Sequence, residues 1–419
     1  MNVINNKESR DLNWKLFCFF VFISPFLAIL NLPRFNLRIL GLGWGVFLTY
    51  LLTITLLVPK LRFSFLVQKI MFFLGLLIAL LAFKFTISGS FFNFAKHSQM
   101  YFLSLVFFFL SYAYVDSNEK REQLKNVFIV TSILLAIFGI IHYHFFYRTI
   151  LADTSGYSSA LMTGILDRVN MKYRESGTLP HPVHYSHVLS FGIIFLVFCM
   201  RSRSKWLFIA ILFYAITISG SRSSFYYMLL FLLVIQINFR KINRTGLLAA
   251  LVFMLGAVYF TTVYNTFDLS NIYNSGISIR IVKIKAAFML ASKNLHNFFI
   301  GVPLGFRPAM LIKGWGNQSV NDNSLASILA QVGIVGIFLW TFIIKTIYLR
   351  VKKLAQIKLD LSTENYIKAV KWCAISCLIF GLTNSLHNNL FPTAFMYIFL
   401  GSIFSKDFAC LTNDGASVR

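Results

Sequence analysis

The sequence predicts an all-α polytopic membrane protein of about twelve transmembrane helices, with a long, partly helical outer loop between the ninth and tenth spans. Three observations carry that expectation. Apolar runs of about 16–23 residues recur from end to end, each long enough to cross roughly 30 Å of hydrocarbon. Of 419 residues, 57% are hydrophobic and only 13% are charged, where a soluble domain carries nearer a quarter. Lys and Arg gather in alternate short connections, as they do on the cytoplasmic side of a membrane. Backbone groups in lipid must be satisfied within their own segment, so these runs are read as helices. They do not alternate apolar and polar residues over about ten positions, as the strands of a membrane barrel would.

Taken in order, the spans fall near 14–31, 39–58, 63–83, 98–115, 126–147, 181–200, 205–219, 223–238, 246–265, 324–345, 368–386 and 390–404. A polar stretch, MNVINNKESRDLNWK, precedes the first. No small-residue cleavage site follows that span, so it is read as a retained helix rather than a signal peptide. The connections Lys60–Arg62, Glu119–Lys125, Arg201–Lys205, Phe239–Arg244 and Lys345–Lys371 include the strongly basic RSRSK, FRKINR and LRVKK. Alternate connections such as Lys84–His97 and Ser385–Asn389 are poorer in charge. The bias places both termini in the cytoplasm.

Two outer segments are much longer than the rest, Arg148–Pro180 and Thr266–Asn323. Loops of that length are usually functional or disordered. The second carries a helical rhythm of apolar residues (Ile281, Ile284, Ala287, Phe288, Leu290, Ala291), which Gly301, Pro303, Gly305 and Pro308 then break. The chain therefore divides into N-terminal scaffold helices (1–147), a core with the two outer loops 148–180 and 266–323 (148–345), and a last part (346–419). That last part holds a cytoplasmic loop, the final two helices and a short tail. No internal repeat is visible.

The net charge of +25 sits in short inter-helix loops, where anionic lipid head groups are its partners; a nucleic-acid partner is set aside. The five cysteines (Cys18, Cys199, Cys373, Cys377 and Cys410) lie within spans or toward the cytoplasm and suggest no disulfide framework. Cys373 and Cys377, one helical turn apart in an apolar run, are read as packing residues.

Four polar clusters stand out against this background. Ser219-Gly220-Ser221-Arg222-Ser223-Ser224 occupies a tight outer turn, where Arg222 sits at membrane level. An Arg there needs an anion or water, and its planar fork suits a phosphate; the alternative is a side chain snorkelling from a helix end. Ser278–Lys285 opens the helical part of the second long loop. Arg280 lies near its N-terminal end, and with Lys283 and Lys285 it makes a cationic cluster. An amphipathic helix resting on anionic head groups is the other reading of that segment. Asn321-Asp322-Asn323-Ser324 begins the tenth span; Asp322 is either a general base or an N-cap. Glu175–His187 holds His181, His184 and His187 at intervals of three. These are read as lining of an outer cavity or as helix packing. No metal is assigned, because no Cys or carboxylate stands at ligand spacing and Pro182 interrupts the helix that would align the rings. Arg174 and Glu175, just before them, are further candidates for binding and proton transfer. His387, among Asn384, Asn388 and Asn389 in the last outer turn, receives no role.

Together these segments resemble a known family. SGSR at an outer turn, an Arg-bearing segment in a long outer loop, the Gly301–Gly305 stretch GVPLG and then NDNSLASILAQVGIVG resemble the shared C-terminal region of O-antigen ligases and O-antigen polymerases. SGTLPHPVHYSHVLSFG resembles the start of an earlier helix in the same superfamily. The likeness runs from about Glu175 to Trp340. It implies a metal-independent glycosyltransferase of the bacterial inner membrane, needing no cofactor or nucleotide sugar and acting at the periplasmic face on an undecaprenyl-diphosphate-linked glycan. The family's arginines in these segments correspond to Arg222 and Arg280, which would neutralise the diphosphate leaving group; Arg174, Glu175, His181, His184, Lys283 and Asn323 are substrate-binding candidates from the reading of the residues themselves.

Ligases of the family that load lipid A-core carry a His at the start of the tenth helix, where this chain reads Asn321-Asp322-Asn323. That departure favours a polymerase joining repeat units, with Asp322 as the base. A polymerase would accept an acceptor glycan and admit a chain-length-regulating co-polymerase as partner. The remaining alternatives are an O-antigen ligase acting on lipid A-core and, outside enzymes, a lipid-linked glycan transporter. A protein oligosaccharyltransferase of the same superfamily would be expected to carry a further C-terminal domain.

Overall fold

The computed structural model describes residues 2–27, 64–88, 107–146, 178–179, 182–238, 289, 292–301, 324–354, 356–357, 359–383 and 390–405. Among them all regular structure is helical, with no strand. Apolar side chains cover buried and exposed faces alike: Phe19, Phe72, Leu207, Leu230 and Phe338 are exposed while Phe17, Phe128, Phe191 and Phe225 are buried. Three helical segments, Asn118–Phe145, Pro182–Cys199 and Val332–Leu354, are long and apolar enough to cross a membrane. Where both faces are apolar, removal from water does not decide which face packs. Close-fitting small residues and interhelical hydrogen bonds do.

The helices fall into two compact units. In the first, α1 (Asn2–Leu27) buries Trp14, Phe17, Phe20 and Val21 at helical spacing against α3 (Asn118–Ile141). Trp14 Nε1 donates to Gln123 Oε1 at 2.7 Å, and the Lys120 ammonium lies 5.7 Å from the Trp14 ring centre. A π-helical turn, His142–Phe146, follows α3. Then come α4 (Pro182–Cys199), α5 (Lys205–Ile218) and α6 (Arg222–Asn238). α4 touches α3, α5 and α6, and its residues 185–196 are buried without a break. Tyr185 Oη donates to Leu135 O at 3.4 Å, and Gly192 brings the α4 backbone close to Ser132.

In the second unit, α2 (Phe65–Ser88) packs on α8 (Ser324–Leu354), with Phe73 and Phe342 stacked at 5.1 Å. α7 (Leu295–Ile300) also packs on α8. α9 (Leu361–Thr383) is capped by Asp360, whose carboxylate accepts from Thr363 N at 3.1 Å. It joins α10 (Leu390–Ile403) through Tyr366 Oη and Ser402 Oγ, 2.7 Å apart. Helical residues 107–114 run so close to α10 that a Cβ at Gly401 would lie 2.2 Å from Phe108 O.

Several expected boundaries shift, each for a physical reason. α1 starts at Asn2, taking in the polar stretch expected before the first span. The connection Glu119–Lys125 forms the first two turns of α3, because Glu, Lys, Arg and Gln are good helix formers and Lys125 pairs with Glu122 one turn back. α8 runs nine residues beyond the expected 345, so LRVKK is helical as well. Pro182 does not interrupt the histidine-bearing helix. It opens α4, where its fixed φ suits the first turn and its missing N–H is not needed.

Gly401→Ala should lower stability by about 1–3 kcal/mol, since the new methyl meets backbone rather than a movable side chain. Gly75→Ala, with nothing within 4 Å of the added Cβ, should leave stability unchanged or raise it by up to about 1 kcal/mol. Thermal unfolding of the two purified variants beside the parent checks this pair.

Candidate functional site

Residues 219–221 have to reverse the chain between two helices without exposing the ends of either. Ser219 stays in the right-handed helical region (φ −69, ψ −16), and its N–H bonds back to Ala215 O at 3.2 Å. Gly220 then takes φ 61, a conformation that costs an L side chain about 1–2 kcal/mol, and donates its N–H to Thr217 O. Ser221 stands before α6, its carbonyl accepting from Phe225 N at 3.0 Å. The Ser-Gly-Ser order thus has a mechanical reason: one residue closes α5, one turns the chain, and one opens α6.

The hydroxyls of this turn continue inward as a buried network. Ser219 Oγ donates to Ile216 O at 2.6 Å and accepts from Ser221 N at 3.3 Å. Ser221 Oγ donates to Ser224 Oγ at 3.1 Å, and Ser224 Oγ lies 2.8 Å from Ser186 Oγ on α4. Ser186 Oγ also reaches Val183 O at 2.9 Å, and Ser190 Oγ donates to Ser186 O at 2.7 Å. Ser186, Ser190, Ser219 and Ser224 are fully buried, as is His187.

The network fixes the position of two helix ends. Ser186 is in the second turn of α4 and Ser224 in the first turn of α6, so the N-termini of both helices lie at the same level, side by side. First-turn N–H groups have no acceptor within their own helix, and each helix end carries roughly half a positive charge. Two such ends repel each other unless an anion or a strong dipole sits between them. The arrangement is a pair of adjacent helix N-termini, with Arg222 as the first residue of α6 and His184, half-buried, in the first turn of α4. It can hold an anion and favour negative charge developing on it.

The structure therefore joins two segments that the sequence singled out separately, SGSRSS and HPVHYSH. Of the residues expected to bind or react, the helix start at Arg222 and the side chain of His184 are described. Arg174, Glu175, His181, Arg280, Lys283, Asp322 and Asn323 lie outside the described residues. Ser186, Ser190 and Ser224, which hold the two helix ends together, receive no such role from the sequence, although Ser186 and Ser224 fall inside the HPVHYSH and SGSRSS segments. A further sequence signal is serine recurring at 186 and 190 inside an apolar helix.

The second unit joins two more of the quoted stretches. Gly301, which ends α7 with φ 83, meets Gly333, where α8 kinks at φ 63. A Cβ at Gly333 would lie 2.5 Å from Phe299 O and 2.6 Å from Gly301 N.

No protein-family model matches the chain, and a comparison with curated proteins finds no match.

Ser186→Ala and Ser224→Ala should each lower stability by about 1 kcal/mol, because each leaves a buried hydroxyl with one partner fewer. The double variant should lose less than the sum, by about 0.5 kcal/mol or more. A double-mutant cycle on thermal or denaturant unfolding measures that coupling directly, and additive losses would contradict the bond.

Proposed function

We propose that this chain is a membrane glycosyltransferase that polymerises undecaprenyl-diphosphate-linked repeat units at the outer face of a bacterial inner membrane. In this reading the chain crosses the membrane about twelve times with both termini in the cytoplasm. The observation that carries it is the meeting of the α4 and α6 N-termini beside Arg222. A diphosphate is the anion such a pair of helix ends suits best, since it offers several oxygens to separate N–H groups and to a guanidinium fork. The likeness of SGSR, GVPLG and NDNSLASILAQVGIVG to the O-antigen polymerases and ligases supports the same reading.

The chemistry follows from where charge develops. An acceptor hydroxyl attacks the anomeric carbon of the donor glycan; a C–O bond forms there and the bond to the diphosphate oxygen breaks. The hydroxyl proton passes to a base, for which Asp322 is the candidate, and undecaprenyl diphosphate leaves with the bonding pair. Negative charge grows on the leaving group as the reaction proceeds. Fixed cations therefore bind the transition state more tightly than the ground state. Arg222 and Arg280 take that role, and Lys283 adds positive charge beside Arg280. Arg174, Glu175, His181, His184 and Asn323 orient donor and acceptor. No metal or other cofactor is assigned, and membrane lipid surrounds the whole.

Deleting the gene in its native host and running the extracted surface glycan on a gel tests the reading. Loss of a polymerase should leave lipid A-core capped with a single repeat unit. Arg222→Ala should restore no more than roughly 1% of the polymer, given losses of about 10²–10³ for one such donor, and Arg222→Lys an intermediate amount. Bare core with long chains retained on undecaprenyl diphosphate would identify the ligase alternative. Full complementation by Arg222→Ala would contradict the transfer mechanism and favour the transporter.

A further inference from the structure

α7 is ordered at both ends yet leaves its side chains uncovered. Asn294 caps it, accepting from Asn297 N at 2.7 Å, and Gly301 N closes it on Asn297 O at 2.8 Å. None of its residues is buried. Leu295 is 77% exposed, Phe298 42% and Phe299 48%, and nearby Met289 is 60% exposed. What holds the segment is backbone, because Phe299 O and Gly301 N rest on the Cβ-less face of Gly333. A helix seated by its backbone with two Phe and a Leu turned outward is arranged for an apolar surrounding.

Its position along α8 indicates which surrounding. Lys345, Arg350, Lys352 and Lys353 mark the basic end of α8. Gly333 lies twelve residues before the first of them, about 18 Å at the helical rise. With roughly 30 Å of hydrocarbon to cross, α7 meets α8 in the half of the layer opposite the basic end. The loop 266–323 carries six Lys or Arg (Arg280, Lys283, Lys285, Lys293, Arg307 and Lys313) against two Asp, a balance that suits anionic head groups of either leaflet.

We infer that α7 is a lipid-inserted wedge: its Leu295, Phe298 and Phe299 side chains enter the acyl region of the outer leaflet, with Lys293 held among anionic head groups. This rests on the membrane-spanning reading of α8 given above. The wedge pins the middle of the long outer loop to the bilayer and to Gly333 at once. It thereby sets the depth at which the loop's cations meet a lipid-borne substrate.

Power-saturation EPR on the full-length protein in phosphatidylethanolamine–phosphatidylglycerol vesicles tests this. A nitroxide-bearing non-canonical residue replaces Leu295, Phe298 or Lys293 in turn, which leaves the five native cysteines in place. Phe338, 61% exposed on α8, and Arg203, exposed in the turn before α5, serve as lipid and water controls. Labels at 295 and 298 should be accessible to oxygen and shielded from a water-soluble nickel complex, at about 5–10 Å below the phosphates, with 293 near the phosphate plane. Nickel access at 295 and 298 equal to that at 203 overturns the wedge, and so does shielding from both reagents, which would mean protein covers it. If 338 reports lipid while 295 and 298 do not, the wedge alone fails. If 338 reports water, the spanning reading of α8 fails with it.

Discussion

The contact between the Ser186 and Ser224 hydroxyls fixes how α4 and α6 meet. It joins the second turn of α4 to the first turn of α6, within a buried cluster of serines. In such surroundings a hydroxyl without a partner costs about 1–3 kcal/mol, so the bond sets the register of the two helices and not merely their proximity. The serines at 219, 221 and 190 complete it by satisfying the turn and the next α4 carbonyl. Slide either helix by one residue and the chain of donors and acceptors breaks.

That register has an electrostatic consequence. Parallel helices with adjacent N-termini place two positive dipole ends together, and α6 adds Arg222 as its first residue. Most packed helix neighbours run antiparallel and cancel these ends; here the antiparallel α5 supplies the turn while α4 and α6 combine. Such a pair of helix ends gains little from a neutral ligand and most from one whose negative charge increases during reaction. Glycan transfer off a diphosphate, the activity proposed above, has that property.

Much of the first unit was legible in the sequence. α4, α5 and α6 fall within a residue or two of their expected limits because Pro182, the RSRSK turn and Ser-Gly-Ser are strong local punctuation. α3 and α8 were expected too short, since hydropathy marks where lipid ends and not where the helix ends. Charged residues of high helix propensity extend both past that point. The kink at Gly333 left no trace, because QVGIVG reads like any Gly-bearing membrane helix; its cause is the approach of α7, a contact distant in sequence. At the site, Arg222 could be singled out because a lone cation at membrane level needs a reason. The bond between Ser186 and Ser224 could not, because a buried serine usually bonds its own helix, and pairing across helices depends on rotation that composition does not encode.

The most direct test of the account is equilibrium binding of a short-chain polyprenyl diphosphate to the purified full-length chain, with Arg222→Ala alongside. The account predicts tighter binding of the diphosphate than of the matching monophosphate. It also predicts a loss of about tenfold or more in the Arg222→Ala protein, the value of one charge-assisted hydrogen-bond pair. Equal affinity of the two proteins for the diphosphate, or no preference over the monophosphate, would contradict the central claim that the joined ends of α4 and α6 form a diphosphate site.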